Sequence, residues 1–299
     1  MKRISIIEAP SSAGAYAPGQ EKAPRALLEA GLAEKLRQRG WKVDLVSDID
    51  VYRWRPDRNR PKAMNVDAVV ATAKRVAQRV QSAALDKNFV LVLGGDCTVG
   101  IGTVAGLSAL QRSLGLVYMD YDCDLMTPET TTDGALDWMG VGHMMNLPDC
   151  MPALTGLAGT KPLISGGSLL FFGAGNVTAT ENAIIETEGI AVIGAGDVAR
   201  APVKAAEEAA RWMKQFPTVA VHFDVDLVDF EDFPLAENSR RKEALSFESA
   251  MTSLCRILEC ERVAALTVTE VNPDHDPGGN IEDFVSRLVD AIGARRETA

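Results

Sequence analysis

The chain has 299 residues, 46% of them apolar and 24% charged, enough to bury a full core in one large domain spanning 1–299. A formal charge of -10 argues against nucleic acid, whose phosphates are gripped by clustered Lys and Arg, and favours small cationic partners. The longest apolar runs are too short to span a bilayer and the start Met1-Lys2-Arg3 leads into too brief an apolar stretch for a signal segment, so no membrane role is expected. Cysteines at 97, 123, 150, 255 and 260, an odd count without a C-x-x-C pair, fit reduced thiols and a cytoplasmic setting.

In chain order, apolar β-branched runs recur at Ile4 to Ile7, Val43 to Val46, Phe89 to Leu93, Leu116 to Met119, Leu169 to Phe172, Val219 to Phe223 and Val263 to Val268. Their continuous apolarity marks strands covered on both faces. Between them, Leu27, Leu28, Leu32 and Leu36, and then Val66, Val69, Val70, Ala73, Val76 and Val80, fall on single helical faces. Strand alternating with helix predicts an α/β fold around a mainly parallel sheet. Tyr52 to Pro61 and Asn272 to Asn280 read as surface loops, and a last helix is expected from about Ile281 to Arg296.

Polar residues directly after buried parallel strands are favoured site candidates, because ligand crevices lie outside the carboxyl ends of such strands. Four places qualify. Leu93-Gly94-Gly95-Asp96-Cys97 breaks a strand at two glycines and offers an acid and a thiol; Asp96 as a helix cap and Cys97 as a small buried residue is the bland alternative. Asp120-Tyr121-Asp122-Cys123-Asp124 places three acids at alternate positions, which a continuing strand would aim to one side. His222-Phe223-Asp224-Val225-Asp226 adds two more, and so many clustered carboxylates call for a divalent cation. Thr269-Glu270-Val271-Asn272-Pro273 ends a strand with one acid before a Pro stop. His222 shares the strand parity of Asp224 and Asp226. Gly173-Ala174-Gly175 and Gly194-Ala195-Gly196 follow strands without completing a dinucleotide fingerprint.

These blocks, in this order and spacing, resemble the signature blocks of the arginase/agmatinase (ureohydrolase) superfamily. Gly19 to Leu32 and Thr127-Pro128 with Thr130 to Asp133 extend the likeness from Ile4 to Pro273. The resemblance implies a three-layer α/β/α sandwich, a possible homo-oligomer, and two manganese ions bridged by hydroxide. One ion would be held by Cys97, Asp120, Asp124 and Asp224, and the other by Asp122, Asp120, Asp224 and Asp226. It further implies attack by metal-bound hydroxide on a guanidinium carbon, with Glu270 binding the guanidinium. Three positions depart: Cys97 and Asp122 stand where the family has His ligands, and Asp137 where it has a proton-shuttling His. With Cys97 as thiolate, six anionic ligands face four positive charges, and a thiolate makes zinc or iron possible as well. Proton transfer is then expected from Asp137, His143 or solvent.

By the same resemblance, Met126, Thr131, Asp133 and Thr178 fall where the family grips the amino-acid end of its substrate, and Glu237 and Asn238 in a loop near the guanidinium. An acidic rim of Asp133, Asp137, Glu181 and Glu237 would repel a substrate carboxylate, which points to an agmatine-like or small guanidino compound. The thiol at Cys97 is shared with a branch acting on hydroxylated arginine. The competing expectation is a catalytically inactive relative that serves as a cation-binding or regulatory protein.

Overall fold

The computed structural model describes residues 2–111 and 113–295. Strands β1 (Arg3–Glu8), β2 (Lys42–Val46), β3 (Phe89–Leu93), β4 (Leu114–Met119), β5 (Leu169–Ala174), β6 (Ala191–Gly194), β7 (Thr218–Asp224) and β8 (Val263–Thr269) build one sheet in the order β2-β1-β3-β8-β7-β4-β5-β6. Every pairing in it is parallel. Successive residues of a strand face opposite ways. In β3, Leu91 and Leu93 join a core with the helices Leu32–Gln38, Pro202–Met213, Phe247–Leu258 and Asn280–Gly293, whereas Val90 and Val92 join one with Val66–Leu85, Val99–Ser108 and Gly140–Met144. The expected three-layer α/β/α sandwich is thus the observed one, because strands apolar on both faces need a helical layer on each.

The differences from expectation are local. Strand β6 carries a half-exposed Ala191-Val192 start at the sheet edge and lacks the apolar run that marks the inner strands. The acid triplet does not continue β4. Asp120 Oδ1 accepts the Asp122 amide at 2.7 Å and turns the chain out of the sheet directly after Met119. The last helix ends at Gly293, and the expected end at Arg296 lies outside the described residues.

Register places the chemistry. Met119 pairs with Phe223 and Asp224 with Thr269, while Leu93 pairs with Val268, so the segments after β3, β4, β7 and β8 leave the sheet side by side. Gly95 is needed for the first of these turns, since a Cβ there would lie 2.0 Å from the Ser11 carbonyl oxygen. The helix Val99–Ser108, which anchors Cys97 from below, lies close against Val66–Leu85. A Cβ on Gly102 would meet the Ala73 carbonyl oxygen and Val76 Cβ, both at 2.7 Å. Filling that contact overpacks it. Gly102→Val is expected to cost about 1–3 kcal/mol, read as a lower urea midpoint at unchanged slope; an unchanged midpoint would mean the two helices can part without cost.

Candidate functional site

Cys97 lies at the foot of the helix Val99–Ser108 with its Sγ 2.9 Å from Asp224 Oδ2, 3.2 Å from His222 Nε2 and 3.1 Å from Thr269 Oγ1. Gly100, one turn away, makes space for His222, whose ring stacks on Tyr118 at 4.3 Å. The two Asp-x-Asp segments share one local turn: Asp224 Oδ1 accepts the Asp226 amide at 2.7 Å, as Asp120 does for Asp122. Asp124 and Glu270 both hold left-handed backbone, with φ of 50° and 64°, a conformation that costs a non-glycine residue energy and gathers at functional sites. Asp124 is held there by the Tyr118 hydroxyl. Glu270 is held by its own amide, which donates to the Gly95 carbonyl at 2.8 Å, and by Gln20 Nε2, which donates to Oε2 at 3.0 Å; its Oε1 has no partner. Asp137 takes the Cys97 amide on Oδ1 at 2.7 Å and forms one close group with Cys97 and Glu270.

These placements create overlapping donor groups: Cys97, His222 and Asp224; Cys97, Asp120 and Asp124; Asp120, Asp224 and Asp226; and Cys97, Asp137 and Glu270, each with its ligand atoms within 4.8 Å of one another. A thiol, an imidazole and carboxylates fit a divalent ion of borderline softness. Zinc–ligand bonds of about 2.0–2.3 Å give tetrahedral edges of about 3.5 Å, so the pairs around Sγ need to open by only a few tenths of an ångström. Asp122 lies beside this group, with Asn176 Nδ2 on one oxygen and Arg241 on the other.

Burial governs the electrostatics. It is the largest cause that pushes Asp120, Asp124, Asp224, Asp137 and Glu270 well above the usual carboxylate range, and each is pushed further by its anionic neighbours. Asp122 is pushed up to about 6 by burial and then by Asp226, against the pull of Arg241. Burial also lifts the Cys97 thiol well above its ordinary value, with Asp224 next in weight. In Arg241 the order is different: burial pulls its pKa down, but Asp226 and Asp122 outweigh it and hold the guanidinium firmly charged.

The pocket over this cluster is lined by Tyr16, Trp138 and Asn238 besides the acids and Cys97, and its volume is only about 10 Å³, room for about one water. Tyr16 and Trp138 stack over it, ring centres 5.8 Å apart. Of the residues singled out in the sequence, Cys97, Asp120, Asp122, Asp124, Asp137, Asp224, Asp226, Asn238 and Glu270 meet here. The others do not line the pocket. His143 is fully buried with Nδ1 on the Met139 carbonyl at 2.7 Å, and burial lowers its pKa to about 4. Asp133 accepts from Trp138 Nε1 at 3.2 Å and from the Thr131 hydroxyl at 3.3 Å. Glu181 is locked in the capping box of the helix Ala179–Glu188 by Thr178, and Glu237 is held by Asn272. Met126 is half-buried, its amide on the Trp138 carbonyl at 3.1 Å. Sequence reasoning missed Tyr16, Trp138, Gln20 and Arg241. Of these only Arg241 left a signal, as part of the basic triplet Arg240-Arg241-Lys242 directly after Glu237 and Asn238.

Among the described residues no helix is long and apolar enough to cross a membrane, and all five cysteines are free. A sequence model of the arginase family matches residues 2–292. The arginase of Bacillus subtilis (strain 168) is 28% identical across 97% of both chains, and human Arginase-1 is 28% identical across 98% of this chain and 91% of its own. Among solved structures, native Bacillus caldovelox arginase superposes with a TM-score of 0.89 at 24% identity over the whole of both chains. Formimidoylglutamase of Bacillus subtilis gives 0.73 at 15% identity, over 100% of this chain and 89% of that one. With a family match across nearly its entire length, the chain belongs to the arginase family.

Proposed function

We propose that this chain is a metal-dependent hydrolase of a C–N bond in a small cationic guanidino or amidino compound, and that the reaction takes place beneath Tyr16 and Trp138. The observation that carries the reading is the register of β4 on β7, which sets Asp120 level with Asp224 and forces several buried carboxylates together next to Glu270, whose Oε1 is left without a hydrogen-bond partner. Cys97, His222, Asp120, Asp124, Asp224 and Asp226 are the residues that would hold the ion, manganese by kinship and zinc or iron by the chemistry of the thiol. Such an ion supplies an activated water at neutral pH.

The remaining work falls to the chain's own side chains. Glu270, fixed by Gln20 and by its strained backbone, offers a free carboxyl oxygen to a guanidinium, and an arriving cation favours its ionised form. Asp137, beside Glu270 and Cys97 and raised in pKa chiefly by burial, is placed to hold a proton and give it to a departing amine, the step for which the histidine is missing. The aromatic roof excludes water and presents ring faces to a cation. With space for about one water beneath it, the roof must lift to admit substrate.

Glu270→Gln keeps the shape and the Gln20 contact but loses the charge, so kcat/KM for urea or amine release from a panel of guanidines is expected to fall by about thirtyfold or more, with metal content unchanged. An unaltered rate would remove Glu270 from substrate binding. No hydrolysis by the metal-loaded wild type across the panel would favour the inactive, cation-binding relative. Stability should also follow the carboxyl cluster. In the metal-stripped chain, the folded-state pKa values of Asp96 and Asp122, about 6, lie above their unfolded values near 4, so the folded state binds more protons in that window. Stability is therefore fullest below about 4 and declines as pH rises through about 6. Asp120, Asp124 and Asp224, the donors proposed for the ion, are raised in the same direction by burial and by their anionic neighbours, and a bound divalent ion would take the place of their protons, so the melting-temperature gain on adding metal is expected to be larger at pH 8 than at pH 5. An equal gain at both would show that the acids are already ionised before the ion arrives.

A further inference from the structure

Arg241 reaches into the carboxylate cluster from the loop that follows β7. Its Nη2 donates to Asp226 Oδ2 at 2.9 Å and to Asp122 Oδ2, its guanidinium carbon lies 4.7 Å from the centre of the Tyr121 ring, and the residue is only 8% exposed. The backbone beneath it is pinned as well: the Arg241 amide donates to the Asn238 carbonyl and its carbonyl accepts the Phe230 amide, both at 3.1 Å. Since Asn176 takes the second oxygen of Asp122, both oxygens of that carboxylate are already engaged by donors, one of them a cation. Glu270, by contrast, receives nothing from Arg241; its oxygens hold Gln20 and no partner. The guanidinium therefore sits on acids of the metal side and not on the acid placed for a substrate guanidinium.

We propose that Arg241 is a built-in cation standing in for a second metal ion, so that this centre holds a single divalent ion on the side of Cys97, Asp120 and Asp224. The inference rests on the functional reading only for the presence of that one ion. A guanidinium suits the task, because its planar fork can bridge two carboxylates and stays charged at any working pH. A dication placed against the same two acids would face the guanidinium at a few ångströms, where like charges repel strongly in a buried site. On the other side, Asp226 Oδ1 is buried without a partner and groups with Asp120 and Asp224, which leaves one set of donors open. The electrostatic result is a monovalent cation and one dication sharing a cluster whose carboxylates would otherwise need two dications or bound protons.

The test counts metal on the full-length chain after chelation, reloading with manganese or with zinc, and dialysis, by elemental analysis per chain, with no substrate present. Wild type is expected to retain one equivalent, Arg241→Lys one, and Arg241→Met, which keeps the stem and removes the charge, close to two. Circular dichroism and melting of each variant confirm the fold, and the Arg241→Lys count stands as the check should Arg241→Met unfold. Two equivalents on wild type, or two on Arg241→Lys, overturns the proposal, as does one equivalent on a folded Arg241→Met. Zero on wild type with either ion overturns both this inference and the hydrolase reading. A change from one to two without any guanidine hydrolysis would uphold Arg241 as the second cation while sinking the hydrolase reading alone.

Discussion

Carboxylates packed against one another out of water are the constraint on which the rest of this structure depends. The parallel register of β4, β7 and β8 brings Asp120, Asp224 and Glu270 to one edge of the sheet, and the helical layers bury them there. Charges in such a place repel far more strongly than in water, so they persist only where protons, cations or donor groups compensate them. Each neighbour of the cluster answers that demand: backbone amides on Asp120 and Asp224, the Tyr118 hydroxyl on Asp124, Gln20 on Glu270, the Cys97 amide on Asp137, and Arg241 on Asp122 and Asp226. The fold supplies a rigid frame for this arrangement, because close-packed layers leave the turns little freedom to relax apart.

The same constraint shows in the surroundings of Asp122 and Cys97. Asp122 adds a negative charge, and Arg241 with Asn176 absorbs it on both oxygens. Cys97 has its sulfur within hydrogen-bonding distance of the imidazole of His222, for which Gly100 leaves space. In each case the side chain and its partner lie far apart in sequence but adjacent at the strand ends.

Strands buried on both faces were legible because an unbroken run of Val, Ile and Leu has no side to turn to water. The strand-end acids were legible because an acid directly after such a run is carried out of water with it and must be compensated there. What the pattern could not carry was direction and distance. Period-two reasoning extended β4 through the acid triplet, whereas the side chain of Asp120 bonds the Asp122 amide and ends the strand, a competition between side chain and ladder that Asp often wins. His143 looked available because spacing says nothing about which way a short helix turns its face, and it is turned into the core. The cation in the site, Arg241, comes from the loop after β7, whereas Arg53 in the Tyr52 to Pro61 loop pairs with Glu21.

Substrate choice is where this matters most. An acidic rim of Asp133, Asp137, Glu181 and Glu237 would exclude a substrate carboxylate only if those acids faced an incoming ligand. Three of them are engaged by the chain itself: Asp133 on the Trp138 indole, Glu181 in a helix cap and Glu237 on Asn272. The fourth, Asp137, lies inside the pocket beside Cys97. On the proposed reading, selection would then pass from the rim to the pair of Tyr16 and Trp138, where Trp138 is held by Asp133 and stacked on Tyr16. On the same reading, a ligand that gains from the aromatic pair at one end and from Glu270 at the other would compensate the opening of that pair best, which would favour a compact cation over a long zwitterion.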